Sequence, residues 1–366
     1  MKKIVSILLA ALMLLSVAAF AEGDYRVAMI TDYGDITDQS FNQTTYEACK
    51  AFCEANNIDF TYYKPNGDST AERVAMVEKA DDEGYNVIVM PGYAFGETIA
   101  EVQEEYPDTT FIALDVSEFD VAVGGEPVPV GSNVYCAVYK EELCGYMAGY
   151  AAVKLGYTHL GFLGGMAVPA VVRYGFGFVQ GANAAAVELG NASDVTIEYV
   201  YGNQFYGDAD ITAYMDNWYQ NLGVQAVFAC GGGIFTSAGE AAAKVEGGKV
   251  IGVDVDQAAT IDGMYGEGIT VTSAMKGLAA TVDALLAKTI AGEFEGGKVE
   301  ALGLVGEDPA ANYVQLAGST QFADGFTEDD YKALVAAMFN GEITVSDNID
   351  AMPETAITVN DLGTVK

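Results

Sequence analysis

Short apolar runs alternate with amphipathic stretches along nearly the whole chain, and this limits the fold more than any other feature of the sequence. Residues 25–30, 59–63, 86–90 and 110–115 read as strands, and the third of them, built on Val87, Ile88, Val89 and Met90, is closed by Pro91 and Gly92. Between them, 41–56 and 69–83 read as helices, the second with Ala71, Val74, Ala75, Val77 and Ala80 at helical spacing, and another helix runs on to 106. A strand without polar alternation is buried on both faces, which calls for a parallel sheet covered by helices on either side. The pattern then restarts, with helices over 141–155, 175–189, 209–222 and 236–246 and strands over 159–163, 195–200, 226–229 and 250–253. Two consecutive units of this size predict two α/β lobes, because a single core does not grow indefinitely with chain length. One more helix over 276–291 and a long tail predict that the chain crosses between lobes more than once. No Ser/Pro-rich linker separates the units, so the crossings are expected to be short hinge strands.

The first residues address the compartment. Lys2 and Lys3 precede an apolar run over 4–20, which ends in Ala19-Phe20-Ala21 before Glu22. A basic start, an apolar middle and a small-x-small ending describe a secretory signal peptide over 1–21. A membrane anchor is the competing reading, but the run is slightly short for one and closes in a cleavage signal. The first cysteine is Cys49, so the leader carries no cysteine for a lipid anchor. An exported chain, periplasmic or extracellular, is expected.

Charge and cysteine content narrow the partners. The 366 residues hold 52 acidic side chains against 17 basic ones, a formal net charge of -35. Nucleic acid and anionic membrane surfaces are poor partners for such a body, so contact with the membrane is expected only through a protein. The five cysteines, Cys49, Cys53, Cys136, Cys144 and Cys230, match no zinc spacing and read as buried thiols. No metal and no cofactor are expected.

In open α/β sheets ligands meet the loops at the carboxyl ends of the strands. Those positions carry residues 31–35, Asp115, Gly164-Gly165, residues 201–206, Gly231-Gly232-Gly233, Asp254 and residues 272–276. They supply carboxylates, aromatic rings, bare backbone and a lysine. His159 is the single histidine and begins a strand, which leaves no serine–histidine pair. Paired carboxylates from Asp32, Asp115 and Asp254 would suit a glycosidic hydrolase. The same groups suit reversible binding: sugar hydroxyls donate to carboxylates, a flat base stacks on rings, and glycines let a ligand approach backbone amides. A ligand-binding sensor module also remains open at this point.

The run Asp32-x-Gly34-x-Ile36-x-Asp38-x-Ser40-Phe41-Asn42-Gln43 resembles the N-terminal signature of the basic membrane protein family, the purine-nucleoside receptors of ABC importers. Further matches follow in order: Gly145 to Gly149, Gly161 to Gly165 with Pro169, Gly175-Phe176-Gly177 with Gly181, Val253-Asp254-x-Asp256-Gln257, and Thr272-Ser273-Ala274-Met275-Lys276. Together they span about 25–292. The resemblance implies a type I periplasmic-binding fold, two doubly wound parallel-sheet lobes joined by hinge strands. The lobe boundaries implied are 22–131 with 275–300 for the first and 132–274 with 301–366 for the second. It implies a non-enzymatic, monomeric receptor that delivers a purine nucleoside or related neutral solute to an ABC permease. It also implies site roles. Asp32 and Asn42 hold the ligand at the first strand end, and Phe41 and Phe205 sandwich the purine, with Tyr206 as competitor for the second ring. Asp115 lies near the base, Gly231 or Gly232 offers backbone to the ribose, and Asp254 and Lys276 meet the ribose hydroxyls. The missing lipobox cysteine, the bulky Ile234-Phe235 after the glycines and the tyrosines of 201–206 depart from the family pattern.

Overall fold

In the computed structural model, residues 25–365 are described; the leader over 1–21 lies outside them. Fifteen strands follow in chain order among the described residues: β1 (Arg26–Ile30), β2 (Asp59–Tyr63), β3 (Val87–Pro91), β4 (Thr110–Leu114), β5 (Ala122–Val123), β6 (Glu126–Pro127), β7 (Val134–Tyr139), β8 (His159–Gly164), β9 (Thr196–Tyr201), β10 (Ala226–Cys230), β11 (Lys249–Asp254), β12 (Thr270–Lys276), β13 (Lys298–Leu302), β14 (Val314–Leu316) and β15 (Thr358–Thr364). They form a six-stranded sheet in the order β13-β7-β4-β3-β1-β2 and a seven-stranded sheet in the order β14-β12-β11-β10-β8-β9-β15. Every pair in the first sheet is parallel, and so is every pair in the second except β12 with β14. β5 and β6 make a separate small hairpin.

The unbroken apolar strands lie where their composition demands. All five residues of β3 and all five of β10 are buried, and each strand is central in its sheet. The edge strand β2 leaves Asp59 and Tyr62 exposed. The two sheets share a connectivity: β2-β1-β3-β4-β7 in one and β9-β8-β10-β11-β12 in the other. Both are the second-first-third-fourth-fifth order of doubly wound folds, whose chain reversal beside the first strand opens a crevice at the carboxyl ends.

Three crossings join the lobes: from β7 into the helix Glu141–Lys154, from β12 into the helix Leu278–Ile290, and from β13 to β14. They correct the boundaries read from sequence. β7 pairs with β4, so Val134–Tyr139 belongs to the first sheet and not to the second lobe. The first-lobe return begins at Leu278 and its strand ends at Leu302, beyond the expected 300. Lys276 is the last residue of β12 and not the start of a helix. All five cysteines are buried and free.

Candidate functional site

The carboxyl ends of both sheets face one another across a cavity of about 670 Å³. All eight sequence-derived site residues, Asp32, Phe41, Asn42, Asp115, Phe205, Gly231, Asp254 and Lys276, line it.

The first lobe supplies the loop after β1. Asp32 is buried, and its Oδ1 accepts from Gly34 N at 2.7 Å. Burial pushes its carboxyl up to about 7, with the Gly34 amide and the Arg73 charge offsetting only part of that cost. Further along, Asp38 accepts from the backbone amides of Ser40, Asn42 and Gln43 at 2.9, 2.9 and 3.0 Å. Asp38 therefore caps the helix Phe41–Asn56, whose N-cap residue Ser40 makes no side-chain cap bond of its own. The Ser40 hydroxyl is released to cross the cleft, where it donates to Asp254 Oδ2 at 2.6 Å. Beside it, Gln257 Nε2 donates to Gln39 O at 3.1 Å, a second bond between lobes.

Asp115 and Asp254 stand at equivalent places, each after or at the end of the fourth strand of its sheet, β4 and β11. Both adopt left-handed backbone, with φ of 60° and 65°. Gln39 and Asn203, also lining the cavity, are left-handed too at 56° and 60°. Non-glycine residues enter this region at some cost, and such strain gathers where a site dictates the chain path. Here it turns the two aspartates out of their strands and toward a common lysine.

That lysine is ringed by acids. Lys276 Nζ lies 2.6 Å from Asp115 Oδ2, 3.3 Å from Glu141 Oε1 and 3.8 Å from Asp254 Oδ1. The rings of Phe41, Tyr139 and Tyr174 surround the ammonium at 4.9, 5.4 and 5.6 Å from their centroids. Burial alone would lower the lysine, but Asp115, Glu141 and Asp254 outweigh it and hold the group charged. Glu141, fully buried, accepts from Arg173 Nε at 2.6 Å with its other oxygen. Burial still lifts Asp115 to about 6 against the pull of Lys276, and lifts Asp254 as well. Asp115 Oδ1 and Asn42 Oδ1 are buried acceptors with no protein partner. A guest that brings donors would satisfy them.

Gly231 lines the cavity, but the space left by its missing Cβ is occupied: a Cβ there would sit 2.7 Å from Cδ1 of Phe205. With φ of 141° and an aromatic ring against its Cα, Gly231 serves first as the bed on which Phe205 lies. Gly165, directly after β8, supports the same ring. Tyr206 is 63% exposed, whereas Phe205 is half-buried.

Residues 25–311 match the Bmp family, described as ABC transporter substrate-binding protein PnrA-like. The chain belongs to this family. Among its relatives, an "ABC transporter nucleoside-binding protein BmpA" of Lactococcus lactis subsp. cremoris is 26% identical over 75% of this chain and 78% of that protein. A "CD4+ T-cell-stimulating antigen" of Listeria innocua serovar 6a is 29% identical over 76% of this chain and 77% of the relative. A solved solute-binding protein of an ABC transporter system from Aeropyrum pernix K1 superposes with a TM-score of 0.67 at 19% identity, covering 89% of this chain and 88% of its own. At that identity it bears on fold alone, and it supports the two-lobed periplasmic-binding architecture.

Sequence reasoning missed several residues that this member of the family places at the site. Glu141 read as an ordinary helix residue, and Arg173 lies before the helix read over 175–189, which in the structure starts at Pro169; an acid at the first position of a helix was the available signal. Tyr33 sits inside the N-terminal signature, and an aromatic directly after the strand-end Asp32 was the signal there. Tyr139 and Tyr174 gave none, since both lie outside the elements read from sequence. Among the described residues no helix is long and apolar enough to cross a membrane, and no group of three or more His, Cys, Asp or Glu could hold a metal ion.

Proposed function

We propose that the protein captures a purine nucleoside, or a closely related neutral and donor-rich solute, between its lobes and delivers it to an ABC permease outside the cytoplasm. The observation that carries this reading is the convergence of carboxylates and rings from both lobes on one cavity. Its volume falls within the ~300–1,000 Å³ common for small-molecule sites. Ribose hydroxyls and base N–H groups are donors, and the bare oxygens of Asp115 and Asn42 are acceptors without partners. A ligand that touches both lobes stabilises the closed form, which the Ser40–Asp254 and Gln39–Gln257 bonds already hold together. The name of the Lactococcus relative supports the nucleoside class. Capture without bond breaking suits a substrate-binding family better than hydrolysis does, and the reading takes the receptor as a monomer.

Titration calorimetry with adenosine, guanosine, inosine, uridine and ribose tests the reading. Purine nucleosides are expected to give saturable heat and to raise the melting temperature; silence from all five would remove the nucleoside assignment. Charge adds a sharper expectation. Among the described residues, seven aspartates and two basic residues line the cavity, and Arg173 and Lys276 are already engaged by acids. Like charges brought together in a closed site cost several kcal/mol. Guanosine 5′-monophosphate is therefore expected to bind roughly a hundredfold more weakly than guanosine or worse. Equal affinity would show that the acidic lining does not govern selection.

A further inference from the structure

Among the described residues, Gln257 joins the two lobes beside the cavity without lining it. It lies between β11 and the helix Ala258–Tyr265 of the second lobe and is 1% exposed. In its own lobe its backbone amide donates to Ser273 Oγ at 3.1 Å, and its Oε1 accepts from Val253 N at 2.9 Å. Gly252 leaves room for the side chain, since a Cβ there would sit 2.9 Å from that Oε1. The remaining arm crosses to the first lobe, where Nε2 donates to Gln39 O at 3.1 Å. The orientation of the amide is forced, because Val253 N can only donate and Gln39 O can only accept. Both partners adjoin the other bond between lobes: Gln39 precedes Ser40, and Val253 precedes Asp254, the pair joined at 2.6 Å.

We propose that Gln257 is a positioning residue of the cleft: one amide fixes the backbone leading into Asp254 and holds the opposite lobe, so it sets how tightly a guest is bound without touching it. This rests on the reading of the cavity as a nucleoside site and names the residue through which closure acts on affinity. Asp254 leaves its strand by a left-handed turn, and the bond to Val253 N pins the chain one residue before that turn. The crossing arm ties closure to binding. A guest that needs the closed form binds with an apparent affinity scaled by the fraction of molecules in that form. A bond between lobes therefore enters the affinity of every guest by the same factor, whereas a residue in contact with the guest changes one ligand more than another. Because the side chain is already confined in its own lobe, little rotamer freedom is left to lose when the arm engages. A carboxyl in place of the amide would keep the shape and remove the donor. One of its oxygens would then face the Gln39 carbonyl oxygen with no proton between them, and protonation of the carboxyl would supply that proton again.

The test compares Gln257→Glu, Gln257→Met and the unaltered protein by calorimetry with guanosine and inosine between pH 5 and pH 8, with melting curves at each pH to show folded protein. At pH 8 Gln257→Glu is expected to bind both nucleosides about tenfold more weakly or worse, the scale of one buried hydrogen bond turned into an unpaired contact. The factor should be the same for both. Each deficit is measured against the unaltered protein at the same pH, where the cavity acids titrate as well. It should shrink toward pH 5, because burial and the neighbouring acids Asp38, Asp254 and Asp256 raise the new carboxyl until it is protonated and donates to Gln39 O. Gln257→Met loses both side-chain bonds and cannot titrate, so its deficit should be as large at pH 5 as at pH 8. A folded Gln257→Glu protein that matches the unaltered one at pH 8, or keeps its full deficit at pH 5, overturns the inference while the nucleoside reading stands. Unequal losses for the two nucleosides overturn it as well, since Gln257 would then act by contact. Should the glutamate variant be unfolded at pH 8, the methionine variant decides alone, and full affinity in it ends the inference. An unaltered protein that binds neither nucleoside removes the reading and the inference together.

Discussion

Lys276→Met is expected to cost the fold about 3–5 kcal/mol at pH 8, the range seen when one partner of a buried ion pair is removed. The lysine side chain is 3% exposed, and Asp115, Glu141 and Asp254 all present an oxygen within 4 Å of it. Methionine has nearly the same length and fits a cage of aromatic rings, so packing against Phe41, Tyr139 and Tyr174 is largely kept. What disappears is the charge, and the three acids are left with Arg173 as the one nearby compensating cation, bound to Glu141 alone. The pH dependence separates this cause from a loss of packing. Asp115 and Asp254 already lie above their ordinary values because of burial, and Lys276 is what pulls them back. Without it they rise further. A carboxyl raised in the folded state is penalised when it must ionise there, so stability falls as pH climbs through the raised value and recovers as pH drops toward the unfolded one. The deficit of Lys276→Met should therefore be widest at pH 8 and should shrink toward pH 5, measured by urea denaturation of both proteins across that range. Lys276 itself contributes no such slope in the unaltered protein there, because its raised value keeps it charged throughout. A deficit that stays constant between pH 5 and pH 8 would mean that the carboxylates do not depend on the lysine.

The same cluster shows where the sequence could be read and where it could not. Local periodicity marked eight of the thirteen strands of the two sheets, because a continuous apolar run such as Val87–Pro91 has no other stable place than a sheet centre, and left β7, β12, β13, β14 and β15 unread. Membership of a sheet is not local. β7 has the same apolar character as the strands around it, and only its pairing with β4 puts it before the crossing instead of after it. The site motif after β1 was legible because its residues are sequence neighbours held by Asp38. Lys276 was legible as a site residue, yet not as the centre of a charge cluster, since Asp115 and Glu141 lie 161 and 135 residues away. The repeat of a left-handed aspartate at the fourth strand of each sheet emerges only when the two strand orders are laid side by side. The family resemblance implies Gly231 or Gly232 as backbone for the ribose; that the space beside Gly231 is filled by Phe205 is a fact of tertiary packing. The mouth of the cavity is built from residues near in sequence, whereas its floor is built from long-range crossings.

Gly181→Val tests how that floor is held in place. The helices Glu141–Lys154 and Pro169–Leu189 meet through paired glycines: Gly145 and Gly149 on one, Gly177 and Gly181 on the other. A Cβ at Gly145 or Gly149 would run into the carbonyl oxygens of Tyr174 or Phe178, and one at Gly177 or Gly181 into those of Glu142 or Tyr146. Each helix thus presses bare backbone on bare backbone, with no side-chain layer that could shift to make room. Overpacking usually costs about 1–3 kcal/mol, and more where the surroundings cannot yield; here the obstruction is main chain, so a loss of about 3 kcal/mol or more is expected in urea denaturation. Gly263→Ala gives the contrast. Gly263 lies in the helix Ala258–Tyr265 with nothing within 4 Å of its would-be Cβ, so alanine should be neutral or stabilising by up to about 1 kcal/mol. The seam also reaches the site, because Glu141 and Arg173 pair at the cleft end of these two helices and Glu141 in turn accepts from Lys276. Forcing the helices apart must stretch that chain of contacts, so whatever Gly181→Val protein remains folded should bind its ligand more weakly as well. A variant as stable as the unaltered protein would mean that the helices are not in backbone contact, and the position of Glu141 beneath the lysine would need another cause.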